Sequence, residues 1–435
     1  MIRKLVALTL FAAALTACQT AGPTVSSGDS LDSIARDYVL LSLTIGEKED
    51  GYIDAYYGPP QLQTQAKADA SGQDLAQLAG RAAALKARAA SYSSEANGSL
   101  ATRRARFLVA QLTAAETRLR MLRGEKLPFA EEAQGLFGVR PELAPLASFD
   151  PVLARIEKLV PGEGPLSARV DAFQNRFTIP KERLKPVFDA AIAECKRRTQ
   201  QHIKLPPGET FTMAFVTGKS WSGYNYYQGN ANSRIEINTD LPIRINRAVD
   251  LGCHEGYPGH HVLNALLEQR LVNDKGWVEY SVYPLYSPQS LVAEGSANYG
   301  IDLAFPGPER LAYETRALYP LAGLSTADAT AYSALQEALE DLGGARFTIA
   351  RELLEGRIDD AEAIRLTQRY QLVSPERAKQ SVAFTRQYRS YVINYGLGQD
   401  MVRADVEAAG ATPAARWRRM EQIISEPTLP SDLRS

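Results

Sequence analysis

Apolar residues recur along most of this chain at three- and four-residue steps. Phe107, Leu108, Leu112, Ala115, Leu119 and Leu122 form one such stripe among arginines, and from Leu31 onwards similar spacing predicts packed helices. Helix starts are marked where a capping residue precedes proline, at Asp150-Pro151, Ser287-Pro288, Ser374-Pro375 and Thr412-Pro413. Proline is tolerated there because its missing N–H would have no partner in the first turn anyway. One region changes period. Glu209 to Gly218 alternates, with Phe211, Met213 and Phe215 on one side, and Ser233 to Thr239 alternates with Ile235 and Ile237 on one side. These predict two strands of a small antiparallel β-sheet, joined by the aromatic, glycine-rich connection Trp221 to Asn230. The expected fold class is mostly α, with that sheet just before a histidine-rich helix.

The first residues set the expected compartment. Arg3 and Lys4 precede an apolar run from Leu5 to Leu15, then Leu15-Thr16-Ala17-Cys18, a pattern too short to span a membrane and typical of a cleaved leader. Its end resembles the lipobox of bacterial lipoproteins, which implies a lipid on Cys18 as the first mature residue. Gln19 after that cysteine resembles lipoproteins sent to the outer membrane, facing the periplasm. The expected layout is a signal peptide over 1–17, a small and polar tether over 18–30, a helical region over 31–205 and a second region over 206–435, with the last two forming one domain or two.

Charge narrows the partners. The 49 basic residues nearly cancel the 50 acidic ones, and no basic stripe points to nucleic acid. Beyond Cys18 there are two cysteines, Cys195 and Cys253; one disulfide or two buried thiols both fit an oxidising compartment. Oligomeric state is not legible.

The candidate chemistry lies between Asp250 and His261, where three of the chain's four histidines fall: His254, His260 and His261. Imidazole is a good zinc ligand, and the neighbouring Glu255 has the chemistry of a general base toward a metal-activated water. The common spacing for such sites is H-E-x-x-H, with both histidines on one helix face. Here Pro258 occupies the second position. At about 100° per residue, His260 on an unbroken helix would sit roughly 240° from His254. Pro258 removes a backbone donor and Gly259 tolerates unusual dihedrals, so the pair predicts a kink that swings a later histidine back. Glu294, flanked by apolar and small residues after Ser287-Pro288, is an odd place for an unpaired carboxylate and completes a three-ligand set of His254, His260 and Glu294. Small neighbours Gly295, Ser296 and Ala297 predict close approach of this helix to the first.

These stretches, HEGYPGHH and then EGSANY, resemble the bacterial domain-of-unknown-function family 885, whose motifs are HExxPGHH and EGWAxY. Ser296 stands where that family usually has tryptophan, and Tyr395-Gly396-Leu397-Gly398-Gln399 is similar to a third family stretch. The resemblance implies a large helical fold like that of gluzincin-type zinc peptidases, one Zn2+ per chain and a peptide substrate. Aligned with relatives that carry plain H-E-x-x-H, His260 becomes the second ligand and His261 a nearby residue or a donor to the transition state; a small bulge reverses the two and makes His261 the ligand. The expected reaction is metal-assisted hydrolysis with Glu255 as base and Tyr395 or His261 donating to the oxyanion. The Ser233–Thr239 strand is expected to bind an extended peptide if it forms a sheet edge, with Trp221 to Tyr227 lining side-chain pockets. A peptide- or metal-binding envelope lipoprotein without catalysis is the alternative from another class.

Overall fold

A computed structural model describes residues 30–93 and 99–433. The leader, Cys18 and all but the last tether position lie outside the described residues. That last position, Ser30, already caps a helix: its side chain accepts from Ser33 N, and Leu31–Gly46 follows with most of its residues buried.

The chain is mostly α. The expected stripe lies on the helix Leu100–Leu122, where Phe107, Leu108, Leu112, Ala115 and Leu119 are buried. Ser374 and Thr412 cap as anticipated, accepting from Arg377 N and Ala415 N. Asp150 does not, because the 3-10 turn Leu146–Phe149 runs straight into the helix Asp150–Leu159 and leaves no free N-terminus to cap. Among the described residues no helix is long and apolar enough to cross a membrane.

The small sheet sits before the histidine helix, as expected, but has three strands: Thr210–Val216, Gly223–Gly229 and Asn232–Asn238. The aromatic connection is itself a strand. Antiparallel to Asn232–Asn238, it takes one side of that strand, and Thr210–Val216 pairs with the other side in parallel. The Ser233–Thr239 segment is therefore central and not an edge. A second, two-stranded antiparallel sheet joins Ile53–Tyr56 to Val282–Pro284. That pairing ties the N-terminal helical region to the chain beyond residue 206, and one buried cluster contains Ile34, Leu112, Phe137, Leu291 and Ile393 together.

Two helix contacts position the site. Pro288–Ala304 is buried on nearly every face, as a helix at the centre of a core must be. It crosses Ile393–Ala408 at Gly295 and Gly398, where a Cβ on Gly295 would lie 2.3 Å from the Gly398 carbonyl oxygen. The small residue beside Glu294 thus serves this crossing, and not the approach to the histidine helix that the sequence suggested. Towards the histidines the close contact is Gly300, where a Cβ would lie 2.8 Å from Pro258 Cγ. Cys195 and Cys253 form a disulfide between the helices Leu184–Gln200 and Asn246–Glu255.

Candidate metal centre

The helix Asn246–Glu255 stops at Gly256, and a second helix, His260–Leu267, begins four residues later. Between them the Tyr257–Pro258 peptide is cis, and Gly259 N donates back to Cys253 O at 3.1 Å. Gly259 lies directly on the first helix: a Cβ there would stand 1.7 Å from His254 O, so no other residue fits. The break folds the chain back, bringing His260 Nε2 within 3.1 Å of His254 Nε2 with the rings nearly perpendicular.

Glu294 reaches the same point. Its Oε2 is 3.2 Å from His254 Nε2 and 3.7 Å from His260 Nε2. That oxygen is buried with no hydrogen-bond partner, while Oε1 accepts from Tyr391 OH at 2.7 Å. Two ligands of a tetrahedral zinc, each about 2.0–2.1 Å from the ion, stand about 3.3 Å apart. The three atoms therefore fit one small cation, and an orphaned carboxylate oxygen in a buried site calls for one. Burial lowers the His260 pKa, but Glu294 and Glu255 outweigh it and lift the imidazole to about 9. Burial acts to raise Glu294, yet His260 and His254 hold its carboxyl well below the usual range. The donor set thus favours added positive charge.

His254 is oriented from behind. Asn298 Nδ2 donates to Tyr395 O at 3.0 Å, which turns Asn298 Oδ1 towards His254 Nδ1 at 2.9 Å. Nδ1 must then carry the proton, leaving the Nε2 lone pair for a metal.

Glu255 is buried beside the pair; its carboxylate and the two imidazoles offer ligand atoms all within 4.8 Å of one another. Room for it comes from Gly223 on the strand Gly223–Gly229, where a Cβ would lie 2.7 Å from Glu255 Oε1. Two residues on, Asn225 Nδ2 donates to Glu255 O at 2.7 Å and fixes the end of the helix. Burial pushes the Glu255 carboxyl up, against the pull of His254 and His260.

His254, His260, Glu294 and Glu255 thus come together. Tyr395 joins them, its ring stacked 6.4 Å from that of His254. His261 does not. Fully buried, it points under the sheet, with Nδ1 2.8 Å from Ser233 Oγ and Nε2 3.0 Å from Glu209 Oε2. Both ring nitrogens are engaged there, so neither ligation nor donation to a reacting oxygen is open to it. Asn298, Tyr391 and Asn225 were not singled out from sequence. Asn298 had a signal, since it follows Glu294 by four residues on the same helix face.

The cluster lines a cavity of about 1010 Å³. Trp221, Ser222, Gly223, Tyr224 and Asn225 contribute to the wall, so the first part of the aromatic segment faces it as expected. Tyr227 does not; it is buried, and its hydroxyl donates to Glu268.

No family model matches the chain, and no curated protein matches it. Among solved structures, a candidate lipoprotein from Colwellia psychrerythraea is 16% identical over 85% of this chain and 77% of its own, with a TM-score of 0.48. An M32 carboxypeptidase from Deinococcus radiodurans R1 is 14% identical over 90% of this chain and 88% of its own, with a TM-score of 0.33. At TM-scores below 0.5 these likenesses assign neither a family nor an activity.

Proposed function

We propose that the protein is a zinc-dependent hydrolase of peptidase type. The observation that carries this reading is the convergence of His254 Nε2, His260 Nε2 and the orphaned Glu294 Oε2 on one point, with Glu255 beside it at a cavity wall. Zinc held by those three residues would supply Lewis acidity, acidifying a water and polarising an amide carbonyl. Glu255 takes a proton from the attacking water and delivers it to the leaving nitrogen, so that water and amide become carboxylate and amine. Its buried, raised carboxyl suits both halves of that transfer. Tyr395 donates to the developing oxyanion. Backbone groups at the start of the edge strand Gly223–Gly229 hold an extended peptide in the cavity by strand pairing, the role first expected of the now central strand. The lipobox-like end of the leader supports a lipid on Cys18 and a place in the cell envelope, and Gln19 after it supports the outer membrane, facing the periplasm.

The test is a peptide-library digest with zinc quantified in the same samples. Wild type is expected to carry about one zinc per chain, and Glu255→Gln to keep the metal while cleavage falls about 10²- to 10⁴-fold. Undiminished cleavage by Glu255→Gln removes the assigned base. No cleavage by either protein removes the hydrolase reading.

A further inference from the structure

The cavity beside the metal centre is lined by five arginines, and four of them are satisfied within the protein. Arg247 and Arg310 both pair with Asp250, at 3.1 and 2.6 Å, and Arg403 pairs with Asp302 at 2.9 Å. Arg377 donates to Pro242 O at 2.6 Å. Arg346 differs. Among the described residues its side chain has no hydrogen bond and no ion pair, and its Nε is shut off from solvent without an acceptor. Burial lowers its pKa, but a guanidinium stays charged at neutral pH.

What holds Arg346 is a pair of aromatic faces. Its Cζ lies 5.1 Å from the Phe384 ring centroid and 5.6 Å from that of Tyr395. A guanidinium stacked this way keeps its planar edge, with its N–H groups, free for a bidentate acceptor. The bland alternative is that the arginine only packs. Leucine or methionine would pack those rings without leaving an unpaired cation at the cavity wall, which costs free energy unless an acceptor meets it.

The position relative to the metal residues sets the scale. Tyr395 touches both: its ring centroid is 6.4 Å from that of His254 and 5.6 Å from Arg346 Cζ, so the guanidinium lies within about 12 Å of the His254 ring. Each peptide residue advances about 3.5 Å. A bond cut at the metal centre therefore puts an acceptor on the first or second residue beyond it within reach of Arg346.

We infer that Arg346 binds a carboxylate of the substrate one or two residues past the cleaved bond, which makes the protein selective for peptides carrying that charge. This deepens the hydrolase reading and rests on it. The carboxylate has two sources, the free C-terminus of a short peptide or an acidic side chain, and they are separable by experiment.

Binding is measured by calorimetry on the zinc-loaded Glu255→Gln protein with three N-acetylated tripeptides: a free acid, its C-terminal amide, and an amide with glutamate as the last residue. The free acid is expected to bind about 30-fold more tightly than the neutral amide. Arg346→Met, which keeps the packing volume, should shrink that ratio to about threefold or less. A free acid that alone binds tightly assigns the C-terminus; a glutamyl amide that binds as tightly assigns a side chain. Equal affinities for all three, including no measurable binding, overturn the proposal, as does a preference that survives Arg346→Met. Failure of the hydrolase reading is distinct: wild type would then cleave none of the three while still preferring the acid.

Discussion

Asn298 Oδ1 accepts a hydrogen bond from His254 Nδ1 at 2.9 Å, and Asn298 is itself held by Tyr395 O. The bond sets which nitrogen of His254 is free. Asn298→Leu removes the acceptor at similar volume, so the ring loses its preferred tautomer and its orientation together. Zinc affinity is expected to fall about 10- to 100-fold, with the fold retained. Competition with a chromophoric chelator measures it, and an unchanged affinity would show that the orienting bond is idle.

Gly223 separates metal binding from turnover. A Cβ at this position would lie 2.7 Å from Glu255 Oε1 and 3.0 Å from Leu251 Cδ2, so Gly223→Ala must displace the carboxylate. A misplacement of about an ångström costs a catalytic group up to about 100-fold. The variant is expected to keep its zinc and lose most of its kcat, read by elemental analysis and by peptide turnover on one sample. Full activity would contradict the placement of Glu255.

Asp54 gives the metal-free protein a pH dependence. Burial pushes its carboxyl up to about 6, against a hydrogen bond from Tyr224 OH and the charge of His260. Between about pH 4 and pH 6 the folded protein keeps a proton that the unfolded chain has lost, so stability falls as pH rises through that window and is level above it. With the group only partly enclosed, about 1 kcal/mol is at stake. Other carboxyl groups titrate in the same window, so the difference between the two proteins is read: across it the urea midpoint of wild type should fall relative to that of Asp54→Asn, and parallel behaviour would contradict the shift.

The disulfide closes a loop with a sequence separation of 58 and anchors the histidine-bearing helix to Leu184–Gln200. Replacing both cysteines by alanine releases that constraint on the unfolded chain, at a cost of about 4 kcal/mol by loop-closure entropy. Denaturant unfolding measures the loss, and a change under about 1 kcal/mol would assign the bridge little part in stability.

Much of the site was legible because its logic is local. The Pro258-Gly259 insertion in an otherwise zinc-binding spacing demanded a bend, and Gly259 seated on His254 O is that bend. Glu294 stood out as a charge among small and apolar neighbours. What sequence did not reveal is set by distant contacts. Gly223 spares room for a residue 32 positions later, and Tyr391 reaches Glu294 only because Gly295 and Gly398 let two helices touch. His261 shared every local signal with His260 and was turned away by Ser233 and Glu209, on a strand and a loop that periodicity alone cannot place. The sheet order escaped for a related reason: alternation marks Thr210–Val216 and Asn232–Asn238 as strands but says nothing of which strand lies between them.

The choice between those two adjacent histidines is the most direct test of the metal centre. Elemental analysis of purified wild type, His260→Ala and His261→Ala, each checked for fold by circular dichroism, compares zinc per chain. Wild type and folded His261→Ala should each hold about one zinc, and His260→Ala close to none. Zinc retained by His260→Ala and lost from folded His261→Ala would contradict the arrangement of His254, His260 and Glu294 on which this account stands.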